Sequence, residues 1–207
     1  MIYDISPPLS LNLMVWPGDT CISRKMLMDI NQGDNITLST INASVHLGAH
    51  ADAPKHYVAN APSIGECAIE NYIGDCQLLY VDVKPYTMVS IDHIKTQITA
   101  ERILIRTGTF PNPEIWNNDF AALDPDLVDY LCKLGVKLIG IDTPSVDLFD
   151  SKDLPSHKRF YYNNMAILEG LFLTSVPEGI YELIALPLRL IGFEASPVRA
   201  ILRIKQE

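Results

Sequence analysis

The stretch His46-Leu47-Gly48-Ala49-His50-Ala51-Asp52-Ala53-Pro54-Lys55-His56 holds three of the chain's five histidines and an aspartate, each two or four residues from the next. If the segment is extended, its period of two turns positions 46, 48, 50, 52, 54 and 56 toward one face, so the imidazoles and the carboxylate look the same way. That reading predicts a polar wall rather than a core strand. The same spacing also satisfies the i, i+4 rule of a helical face. Gly48 and Pro54 oppose the helix, because an internal proline costs about 3 kcal/mol and a glycine about 1 kcal/mol relative to alanine. An extended or looped segment is therefore expected.

Reach limits how many of these groups can serve one ion. At roughly 3.3 Å per residue a straight strand separates His46 from His50 by about 13 Å and from His56 by about 33 Å. A Zn–N bond is about 2.0–2.1 Å, so His46 and His50 share a metal only if the chain bends between them. Gly48 is the residue that permits the bend. His56, beyond Pro54, reads better as a catalytic or supporting group than as a ligand. A lone histidine is ordinarily a surface or hydrogen-bonded residue, but three with an aspartate in eleven positions point to a divalent metal, zinc first. The strip lacks a second carboxylate to close a site, so further ligands must come from elsewhere in the chain.

With these residues in view, the segment resembles the H-x-G-T-H-x-D-x-P-x-H signature of the metal-dependent cyclase/amidohydrolase family. Asp4-Ile5-Ser6-Pro7-Pro8 and Trp16-Pro17-Gly18-Asp19-Thr20 are similar to its bacterial kynurenine formamidase branch. The similarity extends to Gly140-Ile141-Asp142-Thr143-Pro144-Ser145-Val146-Asp147, to His157, and to Glu169 in Ala166-Ile167-Leu168-Glu169-Gly170. It implies a site for two divalent ions, zinc first: His46 and His50 on one, His157 on the other, with Asp52 and Glu169 bridging. His56 would be the general acid/base and Trp16 would contact the substrate's aryl ring. Ala49 stands where the pattern has threonine, which bears on local hydrogen bonding rather than on ligation.

The implied reaction is hydrolysis of N-formyl-L-kynurenine to L-kynurenine and formate in tryptophan degradation, by metal-bound hydroxide. A bound metal lowers the pKa of water from 15.7 toward about 7. His56, with an ordinary pKa near 6.5, would pass a proton from water to the departing aniline nitrogen. Two alternatives stand beside this reading: another amidohydrolase or lactonase of the same family, and a non-catalytic metal-binding protein. Manganese, iron or cobalt could also occupy a His/carboxylate site. Trp16 is balanced between stacking on an aryl ketone and ordinary core packing. Asp142 and Asp147 could orient a ligand, though aspartate beside proline is more often a turn or cap residue. His93 reads as an unpartnered surface histidine.

Composition agrees with one globular domain spanning residues 1–207: 48% of residues are hydrophobic and 20% charged. The 25 acidic residues outnumber the 16 basic ones, giving a net charge of −9 and no basic run. This argues for a small-molecule substrate and against nucleic acid or an anionic membrane as partner. Cys21, Cys67, Cys76 and Cys132 form no C-x-x-C pair, and the start lacks the basic and apolar regions of a signal peptide, so a cytoplasmic protein with reduced thiols is expected. The apolar stretch after Leu171 is interrupted by Pro177, Glu178, Glu182, Pro187 and Arg189, short of the roughly 20 residues of a membrane span. No G-x-S-x-G elbow, P-loop, dinucleotide fingerprint or H-E-x-x-H helix is present.

Many short strands and few helices are predicted. Ile36–Ile41 alternates as a half-buried strand leading into the strip, and 78–83, 103–107, 138–142, 184–186 and 200–204 read as buried strands. A helix is predicted from about Asp124, its cap, through Pro125 to Leu134, with Gly135 after its end. Alternating strands and helices favour a mixed α/β domain, and the resemblance implies a β-barrel-like core flanked by a few helices, of the swivelling β/β/α type. It also implies a homodimer or larger homo-oligomer, with the proline-rich, apolar N-terminal segment at the interface. No repeat, low-complexity tract or linker marks a domain boundary.

Overall fold

The computed structural model describes residues 1–205. Its strands are β1 Ile2–Asp4, β2 Ser23–Met28, β3 Leu38–Asn42, β4 His50–Asp52, β5 Ile73–Tyr80, β6 Met88–Val89, β7 Arg102–Arg106, β8 Ala122–Leu123, β9 Leu138–Ile141, β10 Ala166–Glu169, β11 Gly179–Ile184, β12 Ala195–Pro197 and β13 Ile201–Arg203. Two α-helices occur among the described residues, α1 Pro125–Lys133 and α2 Pro155–Tyr162. Nine strands form one sheet in the order β1-β13-β11-β5-β7-β9-β10-β4-β12. Its centre, β5, β7, β9 and β10, is parallel, and every flanking pair is antiparallel. The expected mixed α/β class, a barrel-like sheet with few helices, is what is found.

Parallel strands covered on both faces read as continuous apolar runs, and the central strands do. Alternate residues divide between two cores. Leu78, Leu104, Leu138 and Leu168 enter one, while Leu79, Ile103, Ile105, Ile139, Ile141 and Ile167 enter the other. The second core is closed by the helices, through Leu127, Val128 and Leu131 of α1 and Phe160 of α2. The first gathers Tyr181, Leu183 and Leu202 from one end of the sheet and Ala51 from the other, so the sheet curls into a half-barrel around it.

Element by element, the predicted helix is present, with the Asp124 side chain accepting from the N–H of Asp126 at 2.8 Å. Gly135 follows in the left-handed region at φ 89°. The 103–107, 138–142 and 200–204 strands form within a residue of their predicted ends, whereas β5 begins five residues earlier than predicted and stops at Tyr80. The 184–186 strand is displaced: Gly179–Ile184 pairs along β5, and the chain leaves the sheet where the strand was expected to start.

The strand predicted at Ile36–Ile41 is half of a hairpin with β2, and it is not half-buried: Leu38 is 45% and Ile41 72% exposed. The structure also corrects the polar wall. Only His50 and Asp52 share a strand, and β4 is wholly buried between β10 and β12 because Ala49, Ala51 and Ala53 turn into the core. No helix among the described residues is long and apolar enough to cross a membrane.

Candidate metal centre

The cluster forms on the helix-bearing side of the sheet, at the carboxyl ends of β9 and β10, where open parallel sheets commonly place their ligands. Strand β4 supplies His50 and Asp52. Its antiparallel partner β10 sets Glu169 directly opposite His50, and cross-strand partners project to the same face. His46 arrives from the turn before β4. Gly48 lies between them at φ 58°, and the bend it makes brings the two imidazole rings to 5.0 Å, in place of the separation a straight strand would impose. After β4, a 3-10 turn over Pro54–His56 swings the His56 ring to 4.3 Å from that of His46.

The remaining imidazole comes from α2. His157 lies in its first turn, and its Nε2 stands 3.4 Å from Asp52 Oδ2 and 3.5 Å from Glu169 Oε1. His50 Nε2 is 3.2 Å from Glu169 Oε2 and 3.5 Å from Asp52 Oδ1, and His46 Nδ1 is 3.1 Å from Asp52 Oδ1. The rings are held by their other nitrogens. His50 Nδ1 sits 2.9 Å from the Gly48 carbonyl oxygen, and His157 Nδ1 sits 2.6 Å from Asp147 Oδ2. A proton on each Nδ1 leaves each Nε2 lone pair facing the carboxylates, the arrangement a cation requires. Glu169 Oε1 also accepts the N–H of Val146 at 2.7 Å.

Asp147 therefore has both roles open to it from sequence. It orients His157, and its carboxylate accepts the N–H groups of Ser156 and His157 at 3.0 and 3.1 Å, capping a helix whose own N-cap position is Leu154. Asp142 does not orient a metal-site residue. Its carboxylate accepts from the Thr107 and Gly108 N–H groups and the Thr107 hydroxyl, tying down the loop after β7. His93 is not unpartnered: its Nδ1 accepts the Ser90 N–H at 3.0 Å and closes a short 3-10 turn.

Charge inside the cluster is strongly coupled. Burial disfavours a proton on His50, but Glu169 and Asp52 prevail and push its pKa up to about 9. Burial likewise opposes protonation of His157, and Asp147 and Asp52 push it up to about 10. Burial would raise Asp52, yet His157 and His46 hold it well below the usual carboxylate range. His56 behaves oppositely. Its ring reaches solvent at the cavity, but the protein packed around it depresses its pKa; Asp52 opposes this shift and His46 adds to it.

These residues fit a divalent cation. Both oxygens of Asp52, Nε2 of His46 and Nε2 of His157 are buried without a hydrogen-bond partner. Unpaired buried carboxylate oxygens are costly, and a metal ion is the partner that converging imidazole and carboxylate lone pairs accept together. Ligand atoms of His50, Asp52 and Glu169 lie within 4.8 Å of one another, as do those of His46, Asp52 and His56, with Asp52 common to both groups.

Above the cluster opens a cavity of about 230 Å³, with His46, His50, His56, His157 and Glu169 in its lining. Its upper wall is aromatic. Trp16 packs at 5.0 Å from Phe149 and 5.4 Å from Trp116, and Trp116 at 5.6 Å from Phe110. Trp16 thus lines the cavity while also packing against its aromatic neighbours. Trp116 was missed, although a tryptophan in the polar loop Pro113-Glu114-Ile115-Trp116-Asn117-Asn118 is a signal for a binding surface.

Residues 3–148 match the model of a family described as Putative cyclase. The fold is similar along its length to a potential metal-dependent hydrolase with cyclase activity, at 26% identity, TM-score 0.83, covering 100% of this chain and 99% of that one. A predicted metal-dependent hydrolase from Bacillus stearothermophilus is also 26% identical, with TM-score 0.81 and coverage of 98% and 97%. Isatin hydrolase A from Labrenzia aggregata shares the fold at 19% identity, TM-score 0.80, over 100% and 94% of the two chains.

Proposed function

The chain belongs to the family of putative cyclases, and from that premise we propose that it is a cytoplasmic, metal-dependent hydrolase of aryl formamides. Its substrate in this reading is N-formyl-L-kynurenine, cleaved to L-kynurenine and formate in tryptophan degradation. The observation that carries the reading is the aromatic cavity standing over a His/carboxylate cluster in which both Asp52 oxygens and Nε2 of His46 and of His157 lack partners. Two divalent ions, zinc first, would be held by His46 and His50 on one side and His157 on the other, with Asp52 and Glu169 shared. When bound, such ions lower the pKa of water toward about 7 and polarise a carbonyl.

The chain's own groups supply the rest. His56 faces the cavity with its pKa held down, so it is neutral at physiological pH and free to accept a proton from the attacking water. Returning that proton to the aniline nitrogen matters because an arylamide anion is a poor leaving group. Trp16 and Trp116 offer flat apolar faces to the aryl ring, and Asp147 keeps His157 in register. A second reading, hydrolysis of an uncharged lactam or other cyclic substrate by the same cluster, is favoured by the absence of any lysine or arginine among the cavity's lining residues.

Zinc-loaded protein should generate kynurenine absorbance from formylkynurenine, and a chelator should abolish it. His56→Ala should keep its zinc and lose about 10²- to 10⁴-fold in kcat; full turnover by that variant would refute the acid/base role. A homodimer or larger assembly is part of the proposal, supported by Leu9, Leu11, Ile30 and Ile41, each at least half exposed. Light scattering at the mass of a single chain would refute it.

A further inference from the structure

Trp16-Pro17-Gly18-Asp19 forms one tight turn. The Asp19 N–H donates to the Trp16 carbonyl at 2.9 Å, and Gly18 has φ 102° after a proline, the pattern of a type II turn. The turn fixes an aromatic ring at one end and a carboxylate at the other, and both line the cavity. Three carboxylates line it in all. Glu169 is engaged with His50 and Val146, and Asp142 with Thr107 and Gly108.

Asp19 differs from both. It lies exposed at the mouth, its Oδ2 accepts only the Ser44 hydroxyl at 3.1 Å, and no lysine or arginine among the described residues pairs with it. A cavity that carries an unpaired carboxylate at its rim and has no lysine or arginine in its lining favours a positive group beside the aryl ring.

We infer that Asp19 is a specificity-determining residue that receives the α-ammonium group of an amino-acid aryl ketone while Trp16 holds its ring. The inference rests on the aryl formamide reading above, and it orients the substrate's α-carboxylate toward solvent. Asp19→Asn keeps the backbone turn and an acceptor for Ser44 while removing the charge.

The test compares binding of L-kynurenine and its desamino analogue 4-(2-aminophenyl)-4-oxobutanoate to the zinc-loaded enzyme by calorimetry, with formylkynurenine turnover measured in parallel. The native protein should prefer L-kynurenine. Asp19→Asn should reduce that preference by about 5-fold or more, as expected for a charge-assisted hydrogen bond at a partly solvated site. The loss should appear in KM rather than kcat for formylkynurenine, and Asp19→Glu should recover part of it. Turnover with an unchanged preference in Asp19→Asn would overturn the inference and leave the formamide reading intact. A lost preference without formylkynurenine turnover would sustain the inference and overturn the substrate. Binding of neither ligand would overturn both.

Discussion

Gly170 follows strand β10 at φ 64°, and a Cβ built on it would lie 2.2 Å from the carbonyl oxygen of Gly48. That oxygen faces His50 Nδ1, so Gly170→Ala presses on the group that orients a proposed ligand. The left-handed backbone costs an L-residue roughly 1–2 kcal/mol. Forcing two packed backbone segments apart adds about 1–3 kcal/mol. The expected destabilisation is about 2–5 kcal/mol, a melting shift of order 4–20 °C for a chain of this length. Gly192→Ala is the control, since Gly192 has φ 83° with nothing within 4 Å of its built Cβ, and only the backbone cost applies. Melts of both variants, with and without zinc, and zinc affinities by competition with a chelator, separate the two costs. Gly170→Ala should also bind zinc about 10- to 100-fold more weakly, the usual loss when a group orienting a ligand is disturbed. Equal melting temperatures for the two variants, with equal zinc affinity, would show that the close approach at Gly48 exerts no constraint.

Asp147→Asn removes the carboxylate that holds His157 Nδ1, so zinc affinity should fall about 10- to 100-fold, measured by chelator competition; unchanged affinity would mean that helix packing alone positions the ring. In metal-free protein the pKa values of His50 and His157, about 9 and about 10, lie above the roughly 6.5 of an unfolded histidine. Their protonated forms thus add stability that is complete below about pH 6.5 and is lost as pH rises through about 9–10, so metal-free melting temperatures should decline over that interval. Zinc affinity should climb across the same range because ligation displaces those protons. A metal-free profile flat in pH together with pH-independent zinc binding would contradict the electrostatics of the cluster.

Much of the candidate site was readable because its residues crowd together locally. His46, His50, Asp52 and His56 crowd one segment, and His46 can meet His50 only through a bend of the kind Gly48 permits, where a φ of 58° is found. What periodicity could not reveal was the tertiary context of β4. Three alternating alanines look unremarkable in a polar strip, but they let the strand pack flat into the sheet between β10 and β12. Helix α2 was not predicted because its N-terminal cap lies outside the helix: Asp147 reaches its first N–H groups from eight residues before Pro155, while Leu154 at the cap position offers no hydrogen-bonding side chain. Exposure of the β2–β3 hairpin is equally invisible to a pattern that alternates correctly but has no sheet beneath it. His157 and Glu169 were placed by family resemblance, since nothing in their own surroundings marks them; β-pairing and the Asp147 bond are what bring them to Asp52.

Convergence of imidazoles and carboxylates from distant parts of the chain on a catalytic metal is checked by titrating zinc into chelator-stripped protein while following formylkynurenine cleavage. Saturation is expected at two ions per chain, with activity absent before loading and restored by it, and with loss of tight binding in Glu169→Gln. Cleavage by the stripped protein, or full activity with no stoichiometric zinc uptake, would contradict this expectation.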